Sequence, residues 1–148
     1  MQINLKAPAI AQHEIIIQAP LATIWQILTD INRWSDWYPS VSQSKLEGSL
    51  APGSVFRWKS GGTPIQSTIQ EVEPQRQLSW TGKALGTRAI HIWKLEPQAE
   101  GILVKTEESF EGWLVSFFKG TMQRTLDTSL QAWLDHLKQR AEAVESNS

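Results

Sequence analysis

Two side chains in this 148-residue sequence combine proton chemistry with an apolar setting, His91 and Glu108. In residues 87–95 an alternation of two puts Ala89, His91, Trp93 and Leu95 on one side and Arg88, Ile90, Ile92 and Lys94 on the other. The charged ends mark the second set as the solvent side. Residues 102–110 alternate likewise, with Val104, Thr106, Glu108 and Phe110 on one side and Lys105 and Glu107 on the other. If Val104 and Phe110 face inward, a hairpin joining the two segments brings His91 near Thr106 and Glu108 on an apolar concave face. An imidazole titrates near neutrality, and a carboxyl group in apolar surroundings has its pKa raised. Such a pair can act as general acid and base, anchor a ligand, or satisfy itself as a structural pair. A register slip of one residue would turn all three side chains outward.

Other chemistries find little support. Without cysteine there are no disulfides, thiolate metal sites or cysteine nucleophiles. His13, His91 and His136 have no ligand-type spacing, so no metal is expected. No serine sits in a glycine-flanked elbow. There is neither a phosphate-binding glycine loop nor a dinucleotide fingerprint, and no cofactor is expected. A net charge of −1 gives no global field for nucleic acid or an anionic membrane. No apolar run reaches the length of a membrane span, so stable membrane insertion is not expected. Residues 1–11 lack a basic start followed by an apolar core, which leaves a cytoplasmic protein as the expectation.

The elements that must position His91 and Glu108 follow from periodicity. Residues 1–11 read as a loosely held lead-in. Residues 12–18, with Ile15, Ile16 and Ile17, read as a strand. Pro20 suits the first turn of a helix carrying Leu21, Ile24, Trp25 and Leu28. A second short helix covers 31–37, ended by Pro39. From Val41 onward the period changes to two, with strands over 42–47, 54–60, 64–73, 76–81, 87–95 and 102–110, separated by Gly and Pro turns. About seven strands result, in one antiparallel meander. Residues 111–145 read as one long helix. Val115, Phe118, Met122, Leu126, Leu130, Trp133, Leu137, Ala141 and Val144 share an arc of roughly 140° on it. Trp113 and Phe117 face the opposite way, as cavity mouth, homodimer contact or packing against a loop. The eight tryptophans suit a broad packed surface or a ligand pocket equally.

This order of elements, with four local patterns, resembles the START/Bet v 1-like (SRPBCC) superfamily, in its polyketide cyclase/dehydrase-like branch. The patterns are Ile15-x-Ile17-x-Ala19-Pro20 leading to Ile24-Trp25, Leu28-Thr29-Asp30 followed by Trp37-Tyr38-Pro39, Leu78-Ser79-Trp80 before Gly82 and Gly86, and Gly101-Ile102-Leu103-Val104 leading to Glu108-Ser109-Phe110-Glu111-Gly112. Ile102 stands where the family usually has threonine, in a turn. The resemblance spans about residues 10–145 and implies a single α+β domain with a helix-grip fold. In that fold a curved antiparallel sheet wraps a long C-terminal helix and leaves a cavity for a small hydrophobic molecule of lipid, polyketide or aromatic type.

The expected cavity wall combines Phe56, Trp58, Trp80, His91, Trp93, Val104, Thr106, Glu108 and Phe110 from the sheet with Phe118, Lys119, Met122 and Leu126 from the helix. Lys119, a charge within the apolar arc, reads as a partner for Glu108 or an acidic ligand, or as a stem with its ammonium in water. Binding or carriage of a hydrophobic ligand is the leading expectation. A cyclase/dehydratase-like enzyme using His91 and Glu108 is the alternative. A module presenting an apolar patch near Trp113 to another protein is the third.

Overall fold

Apart from a helical segment between its first two strands, residues 9–111 form one antiparallel sheet and its connections. The computed structural model describes residues 1–146. Its strands are β1 (Ala9–Ile17), β2 (Val41–Leu46), β3 (Val55–Ser60), β4 (Thr63–Glu73), β5 (Gln77–Ala84), β6 (Thr87–Gln98) and β7 (Gly101–Glu111). They lie side by side in the order β1-β7-β6-β5-β4-β3-β2. Consecutive hairpins account for β2 to β7, and β1 returns to pair with β7. Between β1 and β2 lie α1 (Leu21–Thr29) and a 3-10 turn (Ile31–Asp36). After β7 come α2 (Trp113–Phe117) and the long α3 (Lys119–Ser146). This is the α+β helix-grip architecture expected from the sequence.

The concave face and α3 enclose the core. Phe56, Ile69, Leu78, Trp93, Leu95 and Val104 of the sheet are buried against Leu126, Leu130, Trp133, Leu134, Leu137 and Ala141 of α3. Ile24 and Leu28 of α1, with Ile31 and Trp34 of the 3-10 turn, close one end. The helix also guards the open edge of β1, whose backbone would otherwise invite pairing with another chain. The Gln123 amide accepts from Ile10 N–H (3.0 Å) and donates to Ile10 C=O (2.7 Å). Further along, Lys138 Nζ donates to Ile16 C=O (2.8 Å). The other edge, β2, carries an irregularity near Gln43, where φ is +56°. There the 3-10 segment supplies partners: Ser44 Oγ donates to Ile31 C=O, and Leu46 N–H donates to the Asn32 side chain.

The structure corrects two sequence expectations. Residues 1–8 are not a loose lead-in. Ile3 is buried, and Asn4 N–H donates to Ser109 Oγ (3.0 Å) on the outer face of β7. The single helix over 111–145 is in fact a strand end, a one-turn helix and a separate long helix. Gly112 leaves the strand at φ +119°, a conformation open to glycine but strained for other residues. It also passes so close to the β5–β6 turn that a Cβ there would lie 2.4 Å from the Gly86 carbonyl oxygen. This contact pins α2 against the turn, and the axis breaks at Phe118 (φ −114°, ψ 44°) before α3 begins. The predicted apolar arc therefore holds at Val115 in α2 and, past the break, from Leu126 to Ala141. Leu134 joins it, Phe118 leaves it, and Val144 is exposed.

The two glycines flanking this break should respond in opposite senses. Gly112→Ala is expected to cost about 2 kcal/mol or more through backbone strain and overlap. At Gly120 an added Cβ meets only the Arg124 side chain, at 3.7 Å. Gly120→Ala should therefore stabilise by about 0.5 kcal/mol. Urea unfolding midpoints measure both, and equal effects would contradict this account of the break.

Candidate functional site

The site rests on one register. Cross-strand pairing of β6 with β7 sets His91 opposite Glu108, Trp93 opposite Thr106 and Leu95 opposite Val104, all on the concave side. The next strand sets Trp80 opposite His91. Because side chains alternate strictly, this register places the imidazole, hydroxyl and carboxyl groups together inside. His91 Nε2 and Thr106 Oγ1 are 2.7 Å apart, a buried hydrogen bond. His91 Nδ1 lies 3.6 Å from Glu108 Oε1, too far for a direct hydrogen bond. The His91 ring is flanked by Trp80 (centroids 4.7 Å) and Trp93 (5.4 Å) and approached by Trp133 (6.4 Å).

Burial sets the charge states. It pushes the His91 imidazole down to about 3 and the Glu108 carboxyl up to about 8. Among the described residues no cation pairs with the carboxyl: Lys119 lies on the surface, and Lys83, which also lines the space before the pair, does not offset the burial of Glu108. Near neutral pH the pair is a free-base imidazole beside a carboxylic acid. With the imidazole proton on Nε2, that N–H donates to Thr106 and Nδ1 is left as an acceptor facing the Glu108 O–H. With the proton on Nδ1, Thr106 donates to Nε2 instead. The two arrangements are tautomers with the same number of protons, differing in which ring nitrogen carries the hydrogen and in the direction of the Thr106 hydrogen bond. Glu108 keeps 11% of its side chain accessible, against 1% for His91, so the carboxyl is the member open to a visitor.

The space in front of the pair is small, about 90 Å³. Trp58, Trp80, Phe110 and Trp133 form its apolar walls, and Ser67 and Ser129 add polar points beside His91 and Glu108. Ser67 Oγ accepts from Trp58 Nε1 (3.1 Å). The Ser129 carbonyl accepts from the Tyr38 hydroxyl (3.4 Å), and burial pushes that phenol above its usual range. The remaining sequence candidates take other places. Phe56, Trp93, Val104 and Leu126 are core, and Met122 is half-buried against it. Thr106 holds the imidazole. Phe118 and Lys119, expected on the wall, lie on the surface because the helix breaks at Phe118. Trp133 was visible only as a member of a helix stripe, which does not distinguish a cavity wall from core, and Ser129 lies one turn before it on the same helix. Ser67 gave no signal beyond its parity on β4. Among the described residues, no three histidine, aspartate or glutamate side chains converge to hold a metal.

A model of the family described as polyketide cyclase/dehydrase and lipid transport matches residues 8–142. The chain belongs to this family. Its fold recurs in solved structures of low identity. A hypothetical protein of Helicobacter pylori is 20% identical, with TM-score 0.84, over 94% of this chain and 91% of that one. An aromatase/cyclase from Streptomyces is 16% identical, with TM-score 0.77, over 90% and 93%. A two-domain aromatase/cyclase of the steffimycin biosynthetic pathway is 15% identical, with TM-score 0.78, over 93% of this chain and 52% of that one. No functionally curated protein is matched by the sequence. Among the described residues, no helix is long and apolar enough to cross a membrane.

The raised carboxyl pKa makes stability depend on pH in this family member. Between the ordinary carboxyl pKa of 4.5 and about 8, the folded state holds a proton on Glu108 that the unfolded state has released. Stability from this group therefore falls as pH rises through that window. His91 acts oppositely: from about 3 to 6.5 the unfolded state binds the extra proton, so stability rises with pH. Above pH 6.5 only the Glu108 effect remains. Glu108→Gln should thus gain on the parent protein by about 1–2 kcal/mol between pH 6.5 and 8. Urea unfolding at the two pH values tests it; a difference that does not change with pH would show Glu108 ionised in the folded state.

Proposed function

We propose that the protein binds the ring-bearing apolar part of a small molecule between the sheet and α3, with the neutral His91–Glu108 pair taking its polar group. The observation that carries this reading is the pair itself: two polar side chains on an aromatic concave wall, without a salt-bridging cation, and with Glu108 partly open. A neutral donor and acceptor suit an uncharged hydroxyl or carbonyl better than an anion, whose charge neither the free-base imidazole nor the carboxyl group would compensate. The apolar surround supplies binding, and the pair supplies orientation. Membership of a family described by both cyclase/dehydrase and lipid-transport activities supports a hydrophobic ligand.

The volume limits how binding occurs. About 90 Å³ falls below the roughly 150 Å³ cavity that holds a benzene ring and the roughly 300 Å³ at which ligand pockets begin. A ligand therefore enters by displacing side chains. Phe110, half-buried, is the least enclosed of the four aromatic walls and moves at the lowest cost. This favours a compact aromatic group over a full acyl chain.

A second reading follows from the same pair. In a dehydration, the Glu108 O–H protonates a departing hydroxyl while His91 takes the proton from the adjacent carbon. Water leaves, and the proton returns from imidazole to carboxylate. The similarity in fold to an aromatase/cyclase from Streptomyces favours keeping this reading.

Titration with the neutral probe N-phenyl-1-naphthylamine separates these possibilities. The protein should bind the probe, and Phe110→Ala should bind it about tenfold more tightly while losing about 1–3 kcal/mol of stability. If neither form binds, the cavity is core and the reading fails. His91→Ala should change probe affinity by no more than about threefold. If it also abolishes turnover of a β-hydroxy ketone by the parent protein, the chain is an enzyme; if the parent shows no turnover, it is a binder.

A further inference from the structure

Seven large apolar side chains are exposed among the described residues, and four of them lie together: Leu85 (82%), Trp113 (66%), Phe117 (78%) and Phe118 (46%). They come from the β5–β6 turn and the one-turn α2, which touch. Leu114 N–H donates to Gly86 C=O (3.1 Å), and a Cβ on Gly86 would meet the Trp113 ring at 2.9 Å. The Phe117 and Phe118 rings are in edge contact, with centroids 4.9 Å apart. The patch is thus a fixed feature of one end of the sheet, held by the same glycine contact that breaks the helix.

Its charge surroundings differ from those of the whole chain. Overall there are 14 lysines and arginines against 15 aspartates and glutamates. Yet residues 82–90 and 112–124, which build this end, contain no acidic residue. Lys83, Arg88, Lys119 and Arg124 are all exposed there. Glu111 is the nearest carboxylate in sequence, and it is engaged by Arg88 (3.4 Å) and Asn4 (2.6 Å). The residue rows Gln66–Lys83–Arg88–Glu111 mark this end, while the β4–β5 and β6–β7 turns lie at the other.

We propose that this end docks reversibly on an anionic lipid surface, with Leu85, Trp113, Phe117 and Phe118 seated at the headgroup level and Lys83, Lys119 and Arg124 facing lipid phosphates. Aromatic rings with flanking lysine and arginine are the side chains that gain from such a boundary. A second copy of the chain fits less well, because a symmetric contact would set these three cations against their own equivalents. The proposal does not depend on the inner cavity, since every group in it is on the surface.

Vesicle sedimentation of the full chain tests it, with phosphatidylcholine vesicles compared with equimolar phosphatidylcholine and phosphatidylglycerol. Binding to the anionic vesicles should be about tenfold or more tighter and should weaken with added salt. Brominated lipid should quench Trp113 emission, and Trp113→Phe should remove that quenching. Leu85→Ser with Phe117→Ser should lower anionic-vesicle affinity by about tenfold or more. Lys119→Glu with Arg124→Glu should remove the preference for anionic lipid. All four side chains are exposed, so circular dichroism and the unfolding midpoint should stay near the parent values. No binding to either vesicle, or binding indifferent to the Leu85 and Phe117 changes, overturns the proposal. So does a patch-dependent dimer in sedimentation velocity, or capture of an acidic protein without vesicle binding.

Discussion

The indole of Trp34 is the contact on which the interior depends. Its ring lies 5.1–5.5 Å from Trp133, Trp80, Phe56 and Trp58, which belong to α3 and two strands, β3 and β5. Its N–H donates to the Leu28 carbonyl (3.0 Å) at the end of α1. One fully buried side chain thus joins sheet, long helix and the short helical segment. Aromatic pairs at these separations each contribute about 0.5–1.5 kcal/mol beyond area burial. Truncation of Trp34 would open the centre of the protein rather than one wall.

The same ring cluster explains why the site is small. A curved sheet around a helix leaves room for a ligand when its inner side chains are modest. Here Trp58, Trp80, Trp93 and Trp133 occupy that room, and about 90 Å³ is left in front of His91 and Glu108. The filling also makes the site chemically unusual. Excluding water raises the cost of charge, which keeps the imidazole unprotonated and the carboxyl protonated side by side. Volume and acid–base state are therefore two results of one cause. Trp93 Nε1, buried with no protein partner, shows how strongly aromatic packing prevails over hydrogen bonding here.

The outer end of the molecule follows a different constraint. Gly112 and Gly86 come into backbone contact only because neither has a side chain. This contact holds α2 off the axis of α3 and turns Trp113, Phe117 and Phe118 toward solvent. Inside, large rings exclude water; at this end, missing Cβ atoms leave large rings in it.

Much of the fold was legible locally. Alternation of two over residues 87–95 and 102–110 was enough to assign His91, Thr106 and Glu108 to one inner face, because parity survives any even shift in register. Gly and Pro turns bounded the strands to within a few residues, and the stripe from Leu126 to Ala141 defined the buried side of α3. What the sequence could not decide was anything dependent on how segments distant in the chain meet. The helix break needed the approach of Gly112 to Gly86, 26 positions away, so Phe118 and Lys119 were placed on the wall by a periodicity that does not run through it. The anchoring of residues 1–8 needed the outer face of β7. Cavity size needed the packing of rings from five elements, since the same tryptophans can line a space or fill it. Side-chain type and spacing determined which groups face inward; only tertiary packing determined how much room remained between them, because volume is a property of the meeting of surfaces and not of any one strand.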